Sequence, residues 1–210
     1  MTSLPYTQGE IKEQITENGT SLVQIHMTYP SFSQESNIPH LNTCIRKNAS
    51  SLAKLYGFSL KTEAKQLMDF APTSLPFTLT GKFTLLQNNE IISYYQDVEV
   101  FAGGLRPITQ RFAHNFISHA QKPIFLSQLF PEGTNLPLHI PEKIIEHASY
   151  EWVFGKYKSL VEYFSPERFY LGPQGLSVFY PLHTLAVPAM GIPVFTLPYC
   201  KTHGPFPFPV

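Results

Sequence analysis

The stretch VEVFAGGLRPITQRFAHNF, residues 98–116, sets two adjacent glycines between two runs that alternate apolar and polar residues. Alternation with period two marks a half-buried β-strand, and glycine weakens a strand interior. Gly103 and Gly104 therefore announce a bulge, a sharp bend, or the close approach of another backbone or a ligand. Arg106 follows directly and precedes Pro107. A guanidinium at a glycine-opened edge is placed either to grip a carboxylate of a partner or to blunt the sheet edge as a rim charge.

Working outward, PFTLTGKFTLL (76–86) places Phe77, Leu79, Phe83 and Leu85 on one face. The pair Asn88-Asn89 suits the positive backbone angles of a tight hairpin turn. EIISYYQDVEVFA (90–102) returns with Ile92, Tyr94, Val98 and Val100 aligned, and 106–118 presents Ile108, Gln110, Phe112, His114 and Phe116. These three strands predict an antiparallel meander with one face buried and one polar.

Upstream, residues 1–20 read as a loose polar lead-in with room for a short edge strand. SLVQIHMTYP (21–30) alternates Val23, Ile25, Met27 and Tyr29, and this strand is also able to pair with the meander. Leu41, Ile45, Asn48, Leu52 and Leu55 then fall at helical spacing, with Pro39 in the first turn. Gly57 ends or interrupts this helix, and 61–70 is its continuation or a second short one. Downstream, 123–130 predicts a loop and a single turn. Residues 137–157 predict a helix with Pro141 in its first turn and a stripe of Ile144, Ile145, Ala148, Trp152 and Val153. RFYLGPQGLSVFY (168–180) reads as strand, Gly-Pro turn, strand, HTLAVPAMG (183–191) as a short helix or loop, and IPVFTLPY (192–199) as a last strand.

The predicted fold class is α+β. A small N-terminal strand-helix layer spans 1–75, a mainly antiparallel sheet packed against one long helix spans 76–200, and a Pro-rich tail occupies 201–210. A chain of 210 residues is long enough to bury a core without a metal or disulfide staple.

Charged residues make up 14%, against roughly 25% in an average soluble domain. Aromatics are equally frequent, with 17 Phe and 11 Tyr, so the chain is folded rather than disordered. Net charge is zero and the sequence reads as having no basic run or stripe, so no nucleic-acid partner is expected. Cys44 and Cys200 stand without metal-ligand spacing, either as two free thiols or as one long-range bridge. No stretch approaches the about 18 apolar residues of a membrane span, and the start lacks the pattern of a secretory signal. The chain as written is expected to be soluble and cytoplasmic, an extracytoplasmic role staying open.

GxSxG, HExxH, Walker and strand-to-helix GxGxxG signatures are missing, and no catalytic residue, metal or cofactor is assigned. His139, Glu142 and Glu146 share one helical face and form the best metal candidate, beside the plain reading of a solvated surface. His114 and His119, five apart on a strand, point to opposite faces. Asp97 and Glu99 stand about 7 Å apart on one strand face, a spacing compatible with glycosidase chemistry or with a solvated outer face. Tyr94, Tyr95, Tyr150, Tyr157 and Trp152 supply either a stacking platform or core packing.

The sequence resembles the RsiV-like family at FAGG (101–104), at Asn115-Phe116 with 126–130, and from Phe169 to Tyr199. That family is a bacterial module found in the outer part of a lysozyme-sensing anti-sigma factor and in cell-wall-associated proteins, sometimes beside a polysaccharide deacetylase domain. The resemblance covers roughly 22–199, the part around Tyr29-Pro30 resembling the smaller domain that precedes the module. It implies that the double glycine is a fixed turn of the sheet. Leu105-Arg106 replaces the family's usual Ala-His, and Ala186-Val187-Pro188 stands where Ala-Pro-Tyr is common; no lysozyme-contacting residue carries over.

The function expected is a non-enzymatic binding or sensor-type module for a protein or a cell-wall glycan, with Gly103, Gly104, Arg106 and Tyr95 as binding residues. The alternatives are a glycan-directed hydrolase working through Asp97 and Glu99, and a structural protein that self-associates through its aromatic, charge-poor surface.

Overall fold

The computed structural model describes residues 3–33, 37–68, 70, 74–147 and 156–199. Among the described residues nine strands and three α-helices follow one another, in an α+β fold whose sheet is mostly antiparallel. The larger sheet has neighbouring strands in the order β1-β2-β3-β4-β5-β6: β1 (Tyr6–Glu17), β2 (Thr20–Phe32), β3 (Phe77–Asn88), β4 (Ile91–Phe101), β5 (Ile108–Ile117) and β6 (Lys122–Pro123). A second sheet joins β7 (Phe169–Leu171), β8 (Gly175–Phe179) and β9 (Val194–Pro198).

The chain divides into two compact units, each assembled from two stretches. The first is Met1–Thr84 with Gln96–Gln110, and the second is Leu85–Tyr95 with Arg111–Val210. Strands β3, β4 and β5 each contribute residues to both.

In the first unit, β1 and β2 form a long antiparallel hairpin, with Tyr6 opposite Phe32 and Glu17 opposite Thr20. The loose lead-in expected over 1–20 is thus a twelve-residue edge strand. Its turn is Asn18-Gly19, with φ of 49° and 79°. Two successive positive angles make the primed turn that matches strand twist, which Asn-Gly adopts with little strain. Gly9 leaves a gap in β1 that the Tyr29 ring of β2 covers, since a Cβ at Gly9 would run into that ring.

Helix α1 (Pro39–Met68) connects β2 to β3, which pair in parallel with Val23 opposite Phe77 and Met27 opposite Gly81. A parallel pair needs a crossover of this kind. Gly57 does not end α1, which runs unbroken for 30 residues. Its buried face is Leu41, Ile45, Ala49, Ala53, Gly57, Leu60 and Ala64, while Leu55 on the expected stripe is exposed. Small residues let the helix lie close to β2: a Cβ on Gly57 would stand 2.8 Å from Ile25 Cδ1. At the start of α1, the Asn42 amide accepts from the Phe32 N–H at 2.9 Å and donates to the Phe32 carbonyl at 2.8 Å, tying the end of β2 to the helix.

Gln96, fully buried on β4, donates from Nε2 to the Thr28 carbonyl at 2.7 Å, and Thr28 Oγ1 donates to the Gly81 carbonyl at 3.0 Å. A Cβ on Gly81 would stand 3.3 Å from Gln96 Nε2 and would collide with the Met27 thioether. Glycine on β3 thereby clears the path by which β4 reaches a carbonyl on β2.

The second unit is built on an apolar core that includes Leu126, Ile140, Ile144, Leu176, Val178 and Leu197. Each such side chain taken fully from water contributes about 2 kcal/mol. The expected turn within 123–130 is a 3-10 turn over Leu126–Leu129. Helix α2 (Leu136–His147) begins earlier than expected, so Pro141 lies inside it and Pro137 occupies the first turn. Helix α3 covers Lys156–Glu162. The rest of the predicted run 137–157, with Ala148, Tyr150, Trp152 and Val153, lies outside the described residues, as do Cys200 and the tail 201–210. The strand, turn, strand reading of 168–180 appears as the β7–β8 hairpin, and β9 completes it with Leu176 opposite Leu197.

Asn115, the Asn of the Asn-Phe motif, organises this unit. Its Oδ1 accepts from Ser93 Oγ at 2.8 Å and from the Leu171 N–H at 3.2 Å, and its Nδ2 donates to the Phe169 carbonyl at 3.0 Å. The Leu171 N–H also donates to Ser93 Oγ at 2.9 Å. Buried polar groups are tolerated when paired in this way, and here they fix β7 to β4 and β5.

Candidate functional site

Strand β4 ends at Phe101 and β5 starts at Ile108, so the double glycine lies in the intervening loop. Gly103 has φ of 75°, a left-handed conformation that a side chain resists. A Cβ there would meet Phe77 Cε1 at 3.4 Å and Ser74 Cβ at 3.5 Å, ordinary contacts. The backbone angle, rather than lack of room, is what calls for glycine at 103. Of the three readings of this pair, the sharp bend is the one the geometry accounts for. Nothing in the structure explains Gly104, which has open space around it.

The bend projects an exposed tip. Leu105 is fully exposed at 104%, Ile108 is 56% exposed, and Arg106 and Pro107 between them also face solvent. Arginine is enriched at protein contacts, and Leu105 and Ile108 beside it present apolar surface that a partner would bury.

Tyr95 lies elsewhere, in the middle of β4 and in the second unit. The Arg111 guanidinium carbon sits 3.8 Å from its ring centroid, and the Tyr170 ring packs at 5.2 Å. Guanidinium over an aromatic face is a favourable stack, and it occupies the face a sugar would need. Tyr170 is held above its ordinary pKa, chiefly by burial, with Arg111 pulling the other way.

The proposed aromatic platform is not assembled from the described residues. Tyr94 is buried on the face of β4 opposite Tyr95, against His114 at 4.9 Å, and Tyr157 lies on α3 with its hydroxyl 3.5 Å from Glu142 Oε1. The same holds for the metal candidate. His139 packs edge-on against Phe130, Glu142 meets Tyr157, and Glu146 pairs with Lys143 at 2.7 Å. Among the described residues no group of three or more His, Cys, Asp or Glu is arranged to hold a metal ion.

Asp97 and Glu99 are half-buried on β4, with Thr80 Oγ1 at 3.5 Å from Glu99 Oε2. His114 is enclosed by Tyr94 and Phe116, and burial pulls its imidazole down to about 4; His119 is exposed. A half-open cleft of about 250 Å³ lies between Ser127, Phe130, Glu132, Thr134 and Leu136, and Glu132 is its one ionisable lining residue. Among the described residues no helix is long and apolar enough to cross a membrane.

No family model matches the sequence, and no curated protein matches it either. The fold does have solved relatives. A protein from Bacteroides fragilis superposes with a TM-score of 0.61 at 13% identity, over 93% of this chain and 90% of its own. One from Pseudomonas aeruginosa PAO1 gives 0.61 at 14% identity, over 98% of both chains. Both are DUF3298 family proteins. At this level of identity the likeness is one of fold, and it spans both units of the chain.

Proposed function

We propose that this chain is a non-enzymatic binding module of the RsiV-like type that engages a protein through the β4–β5 tip. The observation carrying this reading is the full exposure of Leu105 beside Arg106 on a glycine-bent hairpin. An apolar residue of that size gains most when a partner surface covers it, and Arg106 adds a charge-assisted contact to a partner carboxylate. A protein satisfies both requirements, whereas a cell-wall glycan rewards the arginine more than the leucine. The RsiV-like assignment is supported by the quoted motifs and by the DUF3298 neighbours, since the C-terminal domain of RsiV is of a DUF3298-containing type.

The test uses the immobilised full chain, offered lysozyme, insoluble peptidoglycan and a bacterial extract, beside a Leu105→Asp/Arg106→Glu variant. Wild type is expected to retain a protein ligand and the variant to lose it by about tenfold or more, at unchanged melting temperature. Equal retention by both chains, capture of peptidoglycan alone, or release of reducing sugar from the glycan would overturn the reading.

A further inference from the structure

Helix α1 concentrates charge in a chain whose net charge is zero. It carries five basic side chains, Arg46, Lys47, Lys54, Lys61 and Lys65, against a single acid, Glu63. With about 100° of turn per residue, Lys47, Lys54, Phe58, Lys61 and Lys65 gather on one sector, away from the Ala53, Gly57 and Leu60 face buried against the sheet. From Lys47 to Lys65 this stripe runs about 27 Å along the helix. Two large apolar side chains accompany it, Phe58 within the stripe at 74% exposure and Leu55 on its flank at 66%. They are three residues apart, so they neighbour one another on the surface.

We propose that the outer face of α1 docks the first unit onto an anionic lipid surface. Lysines bordering exposed apolar groups suit an interface where ammonium heads meet lipid phosphates while their stems, with Leu55 and Phe58, enter the acyl boundary. The two contributions are individually weak and act together, the charges giving about fivefold in partitioning per lysine. A soluble polyanion would satisfy the lysines and leave Leu55 and Phe58 in water, which is why the lipid surface is favoured. Lys65 is engaged by Glu17 at 2.6 Å, so the proposal rests on Lys47, Lys54 and Lys61. It is independent of the β4–β5 tip, which lies on other elements.

The experiment is sedimentation of the full chain with phosphatidylcholine vesicles, with and without added phosphatidylglycerol. Wild type should partition onto the phosphatidylglycerol vesicles and leave them as salt rises. A Lys47→Gln/Lys54→Gln/Lys61→Gln variant should bind roughly a hundredfold more weakly. Leu55→Ser/Phe58→Ser should weaken binding about tenfold or more. Four of the five positions are exposed and Lys61 is half-buried, so an unchanged circular dichroism spectrum is required to exclude unfolding as the cause. Failure to bind either vesicle, equal binding to both, or wild-type partitioning by either variant would overturn the proposal. So would retention by an acidic protein in place of the vesicles.

Discussion

Gly175 marks the place where β8 passes β9 at the limit of backbone contact, because a Cβ there would run into the Leu197 carbonyl. That neighbour is main chain and cannot swing aside, so Gly175→Ala should cost about 3 kcal/mol or more, read as a lower urea midpoint. Asn115 should prove as demanding. Asn115→Leu strands the Phe169 carbonyl and takes the acceptor from the Ser93 hydroxyl, a loss of about 2–4 kcal/mol, whereas Ser93→Ala, which leaves the Leu171 N–H its Asn115 bond, should cost about 1. The Asn-Phe motif was visible in the sequence, but its role was not, since its partners lie 22 to 56 residues away. His114 gives a pH dependence with a definite sign. Its folded pKa of about 4 lies below the ordinary 6.5, so the unfolded chain takes up the proton first. Stability is therefore full above about pH 6.5 and declines as pH falls toward 4, by up to about 3 kcal/mol. His114→Gln should flatten that part of the stability–pH curve in urea titrations.

Among the elements, α1 departs most from its sequence pattern. Glycine inside a helix normally lowers its stability by about 1 kcal/mol, which is why Gly57 read as a break. Here closeness to β2 outweighs propensity, and the buried stripe continues from Leu41 and Ile45 through Ala49, Ala53 and Gly57 rather than through Leu52 and Leu55. Gly57→Leu should force α1 away from Ile25 and lower stability by about 2 kcal/mol or more, measurable by thermal melts. Gly57→Ala should be far milder, since Ile25 Cδ1 is a side-chain end that can rotate. Strand β1 was missed for a related reason. Its exposed positions outnumber its half-buried ones, so alternation is faint, and the one strong signal was the Asn18-Gly19 turn. The meander was legible because bulky residues alternate along most of it, and β7–β8–β9 because short runs rich in apolar residues are punctuated there by Gly and Pro. The reading of no basic stripe fails on α1, where Lys47, Lys54 and Lys61 are seven residues apart and come onto one sector only once the helix is unbroken at Gly57.

At the scale of the molecule, three strands that each serve two units make the chain hard to cut. A Met1–Thr84 fragment lacks Gln96–Gln110 of its own unit, and with it the Gln96 bond to the Thr28 carbonyl. It should remain without dispersed amide signals in NMR spectra until a peptide covering 96–110 is added. The candidate site is legible in part at this scale: Gly103 and Arg106 announced the tip, while Tyr95, eight positions earlier, belongs to a different packing arrangement. As the outermost strand of its sheet, β1 holds a twelve-residue rail of main-chain groups on which another extended chain is able to add. Glu10, Lys12 and Glu13 stand exposed along that rail, and charges so placed deter stacking of one molecule on the next. Exchanging these three for threonine should leave the monomer folded yet seed thioflavin-positive fibres on storage, making them guards against polymerisation rather than parts of any recognition surface.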